Sequence, residues 1–148
     1  MRGPALAHPS PYVPMARWRK LALSVEILVT YATARWELRR HPLPATLERL
    51  RRVTPHPSPS PLADDLDIHV GARLGLAVMR VLRLLPTDSR CLMRSLVLTR
   101  VLSRRGLGSV LVIGVRPGDD FLGHAWVERR GTALLPPERA DFARLVEL

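Results

Sequence analysis

The sequence predicts an α+β fold in which helices come first and a small antiparallel sheet comes last. Three observations predict it. Apolar residues recur at helical spacing up to Arg105. After Gly106 the period changes to strand-like runs rich in Val and Ile. Turn residues at Arg116-Pro117-Gly118-Asp119-Asp120 and Arg130-Gly131 then divide those runs.

Along the chain, residues 1–53 read as an irregular segment followed by a helical arm. Met1–Pro14 is rich in proline, which disfavours regular structure. Ala16–Arg40 is the first helix, with Leu21, Val25, Leu28 and Ala32 at steps of three or four. His41-Pro42 ends it, because a residue before proline avoids the helical region. Ala45–Val53 is a short second helix, with Leu47 and Leu50 on one side and Arg49, Arg51 and Arg52 on the others. Residues 54–65 are a Pro/Ser-rich linker, since Pro55, Pro57, Pro59 and Pro61 cannot enter a helix or a ladder.

Residues 66–148 form the core region. Leu66–Leu85 is a third helix, with Leu66, Val70, Leu74, Ala77, Val78, Val81, Leu82 and Leu85 as its apolar stripe. Asp64 and Asp65 suit its positive start, and Pro86 stops it. The fourth helix runs from about Asp88 to Arg105, capped by Thr87 or Asp88 and ended by Gly106. Its apolar residues cover most of its circumference, which implies burial on most sides. Ser109–Val115, Phe121–Arg129 and Thr132–Leu135 read as strands. The tail, Pro136–Leu148, is expected to end in a short helix.

A chain of 148 residues, 47% of them hydrophobic, is sufficient for one domain with a real core. The net charge of +10 comes almost entirely from arginine. Such a balance fits a basic nucleic-acid-binding module, but aromatic residues make up only 5% and do not cluster. The arginines are also scattered over every predicted helix. No nucleic acid is therefore expected as a partner. Met1–Pro14 lacks the apolar core of a signal peptide. Leu21–Ala34 is apolar but short, is interrupted by Glu26 and is flanked by arginines, so no transmembrane segment is expected. A membrane surface or a protein partner against that helix stays open. One cysteine excludes a disulfide framework and a Cys-rich zinc site, and fits a cytoplasmic, reducing setting. Without HxxxH, HxH or CxxC spacing, neither a metal nor another cofactor is expected.

That one cysteine, Cys91, falls in the first turn of the fourth helix. The positive end of a helix and a nearby imidazole both favour a thiolate, and unpaired N–H groups of a first turn can face an oxyanion. A buried cysteine acting as a small hydrophobe is the alternative. His8, His41 and His56 fall in Pro-rich or terminal segments, and His69 in the third helix. His124 alone sits mid-strand, between Gly123 and Ala125, where small neighbours leave room for a thiol and a substrate. A hydrogen-bonded core histidine is its alternative.

The run Arg90-Cys91-Leu92-Met93-Arg94-Ser95-Leu96, then Gly106-Leu107 into Leu111-Val112-Ile113-Gly114-Val115-Arg116, then Gly123-His124-Ala125-Trp126-Val127-Glu128, resembles the transglutaminase-like domain of lasso-peptide maturation proteins. It is similar in particular to the stand-alone leader peptidases of those pathways. The resemblance implies a papain/transglutaminase-like fold with the nucleophile at the start of a buried helix. It implies a cysteine protease that removes the leader from a lasso-peptide precursor. Cys91 would attack the scissile carbonyl, and His124 would move the proton. Implied partners are the precursor, a winged-helix-like recognition protein that holds the leader, and a lasso cyclase. Acyl transfer onto an amine, as in transglutaminases, is the alternative reaction. The usual position of the family's orienting acid falls on Leu135-Pro136. Glu138 comes first as the third member and Asp141 second; Asp120, Glu128 or a backbone group remain open.

Overall fold

The computed structural model of the chain describes residues 16–52, 64–85, 90–116, 122–135 and 142–148. Its elements are α1 (Arg17–Arg40), α2 (Leu43–Arg51), α3 (Asp64–Leu82), α4 (Arg90–Ser103), β1 (Val110–Arg116), β2 (Leu122–Arg129), β3 (Thr132–Ala133) and β4 (Ala143–Glu147). The Pro-rich start, residues 54–63 of the expected linker, the caps expected at Pro86–Asp88 and the turn at 117–120 lie outside the described residues.

Helix α4 is the hub. Leu96, Val97, Leu98, Val101 and Leu102 are wholly buried, as the broad apolarity of its sequence predicts. It packs against α1, α2, α3, β1 and β2. Removing this much aliphatic surface from water stabilises the fold by roughly 1.5–3 kcal/mol per large side chain. Leu102 also receives the Leu107 N–H across Gly106, whose φ of 71° is the left-handed cap expected there.

The arm packs on the same core. Ile27, Thr30 and Ala34 of α1 and Leu47 and Leu50 of α2 are buried, and α1 lies against α3 and α4. The stripe that marks α1 as a helix in the sequence faces away from the core. Leu21, Val25 and Leu28 are exposed, together with Trp18, Val29 and Trp36. Ile27 and Ala34, with Leu23, Tyr31 and Leu38 beside them, form the inward face instead. Helix α1 is apolar on two opposite faces, so periodicity alone could not say which one meets the core. A similar shift affects α3. Leu66 and Val70 are exposed, while Leu74, Val78 and Leu82 are buried.

Polar ties join these elements. Arg105 grips Glu26 of α1 with two bonds of 2.8 and 3.0 Å. Arg100 donates to the Arg49 and Leu50 carbonyls, the otherwise unpaired end of α2. Arg51 donates to the carbonyls of Ser109 and Leu148 at 2.9 and 2.8 Å, and burial holds its pKa below the ordinary arginine range.

The sheet is antiparallel, in the order β3-β2-β1-β4. Arg130 (φ 50°) and Gly131 (φ 76°) form the two-residue turn between β2 and β3, where both positions need positive φ. The tail corrects the expectation of a helix: Ala143–Glu147 is β4, paired to β1, and Leu148 exchanges two backbone bonds with Leu111. Strand β1 has a second edge whose N–H and C=O groups need partners. The short tail satisfies them better than an isolated turn of helix, which is marginal in water. Among the described residues no helix is long and apolar enough to cross a membrane.

Glu26 yields a pH prediction. Burial alone raises its pKa, but hydrogen bonds and charges from Arg105 and Arg104 outweigh it and hold the carboxyl below the usual glutamate range. A depressed folded pKa contributes stability at neutral pH that is lost as pH falls through that lowered value. Glu26→Gln should lower the melting temperature at pH 7 by a few degrees, roughly 1 kcal/mol for a half-exposed network. The deficit should shrink and vanish as pH falls through that lowered value, where the wild-type carboxyl is protonated too. Thermal melts across that range check it.

Candidate active site

Cys91 is the second residue of α4 and is half-buried. One turn further along, Ser95 Oγ donates a 3.1 Å hydrogen bond to the carbonyl of Ala125 on β2. Thr99 Oγ1 in turn donates to the Ser95 carbonyl. The first turns of α4 are thereby pinned to β2 at the residue that follows His124.

Alternation on β2 sends Ala125 and Val127 into the core beside α4, and His124, Trp126 and Glu128 to the other face. Those three residues are coupled. The His124 ring lies stacked near Trp126, with centroids 6.1 Å apart and planes 21° apart. Phe142 stacks on His124 at 5.1 Å and 27°. Trp126 Nε1 donates to Glu128 at 2.7 Å. Arg144 of β4 then binds both oxygens of that buried carboxylate, at 2.7 and 2.9 Å. Ring, carboxylate and guanidinium form a chain that fixes the wall against which His124 rests.

Gly114 of β1 is the cross-strand partner of His124. A Cβ there would stand 2.8 Å from the Trp126 ring and 2.9 Å from the Ala143 carbonyl. The indole therefore occupies the space that a side chain would need. Gly75 of α3 has a comparable role, since a Cβ would approach the Leu134 carbonyl to 2.6 Å. Gly71 and Gly75 let the segment after β3 lie against α3, which brings Leu134 and Leu135 to the site.

A pocket of about 550 Å³ lies at the end of the sheet where β1 finishes and β2 begins. Its polar lining includes Cys91, Arg94 and Ser95 of α4, Arg116 of β1 and His124 of β2. Leu76, Met79, Leu135 and Phe142 supply apolar walls. Thiol and imidazole, far apart in sequence, thus border one cavity of a size suited to a peptide segment.

Glu138, Asp141 and Asp120 lie outside the described residues. The carboxylate of Glu128 is engaged by Trp126 and Arg144. His69 is exposed on α3, and His41 sits 3.6 Å from Glu37. Among the described residues no group of three or more His, Cys, Asp or Glu side chains could hold a metal ion. Sequence reasoning did not single out Trp126, Phe142, Arg94 or Arg116. For Trp126 the signal was available, because it shares strand parity with His124.

Helices wrapped around a central α4 and a small antiparallel sheet, with a cysteine in the helix's first turn and a histidine on the second strand, bear on the family comparison. The family model described as the transglutaminase-like superfamily matches residues 26–147, from within α1 to the end of β4. No curated protein and no solved structure matches the chain significantly. The family match takes in the N-terminal helices as well as the sheet. The chain belongs to the transglutaminase-like superfamily, whose members are usually cysteine-dependent enzymes and include proteases and acyltransferases.

Proposed function

We propose that this protein is a cysteine peptidase that removes the leader from a ribosomally made lasso-peptide precursor. The observation that carries the reading is the shared pocket of Cys91 and His124. The resemblance of the segments around both residues to lasso-pathway leader peptidases supplies the substrate.

In this reading His124 takes the proton of the Cys91 thiol as the sulfur attacks the scissile carbonyl. The C–N bond breaks, the core peptide leaves as an amine, and His124 returns the proton to that nitrogen. The leader remains as a thioester on Cys91. A water, deprotonated by His124, then hydrolyses it and frees the thiol. Backbone N–H groups at the start of α4, which lack intrahelical acceptors, stabilise the oxyanion. Trp126 and Phe142 hold the imidazole by stacking, and Glu128 with Arg144 holds Trp126. Glu138 is the proposed acid that orients His124, with Asp141 behind it.

The partners in this scheme are the precursor, a winged-helix-like recognition protein that delivers the leader, and a cyclase that receives the freed core. All of them work in the reducing cytosol. The outward face of α1 is the proposed dock for the recognition protein. It presents Trp18, Leu21, Val25, Leu28 and Trp36, with arginines at both ends.

Cys91→Ala and His124→Ala are each expected to reduce leader cleavage at least about a hundredfold while leaving the fold intact. Mass spectrometry of the precursor digest checks this, and wild-type cleavage by Cys91→Ala would end the proposal. Product mass also separates hydrolysis from acyl transfer, which leaves the leader joined to an amine. Gly114→Ala should displace Trp126 and cost about 1–3 kcal/mol in stability, with a larger loss in kcat than in substrate affinity. Leu28→Glu should leave the isolated enzyme's stability and slow basal cleavage unchanged while abolishing stimulation by the recognition protein, read as cleavage rate with and without it.

A further inference from the structure

The pocket is lined by two arginines and, among its described lining residues, no carboxylate. Arg94 is the more informative. It stands three residues after Cys91 on α4, so the two side chains share a face of the helix. It is half-buried, and its Nε is wholly buried without a hydrogen-bond partner among the described residues. An unpaired buried polar atom is costly; Arg129 Nε shares this state, but its guanidinium is bonded to Gly108 and Asp67, whereas Arg94 borders the pocket. The other arginines that tie this fold together are bonded to carbonyls or carboxylates. Arg94 differs from them in facing the cavity instead of a neighbouring element. Arg116, from the end of β1, borders the same space.

We infer that Arg94 makes the pocket a carboxylate-reading subsite, and that the substrate is a peptide with an acidic side chain beside the scissile bond. The inference rests on the reading that Cys91 is the nucleophile. A planar guanidinium binds a carboxylate with two parallel hydrogen bonds, which sets position as well as charge. Three helical residues separate Arg94 from Cys91, a rise of ~4.5 Å. The acid it reads therefore lies within about two residues of the attacked carbonyl, given ~3.3 Å per extended residue. The apolar walls supplied by Leu76, Met79 and Leu135 would hold the flanking aliphatic part of such a segment.

Cys91 is the only cysteine in the chain, so any thiol alkylation reports this site alone. The experiment compares alkylation rates of the full chain by iodoacetate, which carries a carboxylate, and iodoacetamide, its neutral analogue. The ratio of the two rates cancels changes in general thiol reactivity. The expected ratio in the wild type is about tenfold above that of Arg94→Met, with Arg94→Lys in between. As a second measurement on unmodified protein, succinate should slow alkylation of Cys91 by iodoacetamide and succinamide should not. Equal ratios in wild type and Arg94→Met, or equal protection by the two small molecules, would overturn the subsite and leave Cys91 as nucleophile. A thiol that reacts with neither reagent would overturn both, because no open site would then surround it.

Discussion

The hydrogen bond from Ser95 to the Ala125 carbonyl, embedded in the packing of α4 on β2, is the constraint on which the site depends. It is short-range and fully buried, so losing the donor would leave an unsatisfied carbonyl in the core at a cost of about 1–3 kcal/mol. Its location matters more than its strength. One end lies four residues after Cys91 and the other lies one residue after His124. Two segments separated by three decades of sequence are thereby held in a single register. The aliphatic face of α4 supplies the driving force for that contact, and the polar bond selects one alignment along it.

The opposite face of β2 supplies the second half of the arrangement. His124 is not held by a lone partner but rests against Trp126 and Phe142, and Trp126 is held by Glu128 and Arg144. Gly114 gives the indole its place. Ring contacts set the plane of the imidazole. The arginines reveal a parallel economy. Arg51, Arg100, Arg105, Arg129 and Arg144 each tie one element to another through carbonyls or carboxylates, so much of the positive charge serves as internal fastening.

The order of helices and strands was legible from periodicity, because 3.6-residue and two-residue patterns differ sharply around Gly106. Cys91 and His124 were legible as candidates because each is chemically isolated in the sequence. Three features were not. The inward face of α1 was hidden because the helix is apolar on both sides, and only contact with α4 decides between Ile27 and Val25. The final strand was hidden because Ala143–Glu147 owes its conformation to the open edge of β1 and not to its own residues. The support of His124 was hidden because Phe142 and Arg144 arrive from the end of the chain. Local propensity carries no record of such long-range pairings.

In the proposed peptidase, Cys91 carries the acyl group during turnover. The most direct measurement is the intact mass of the enzyme quenched in acid during cleavage of a lasso-peptide precursor. The expected result is a transient adduct equal to the leader fragment less one water, mapped to Cys91 and released by hydroxylamine as a thioester is. An adduct mapped to another residue, or continued turnover with Cys91 blocked by iodoacetamide, would contradict it.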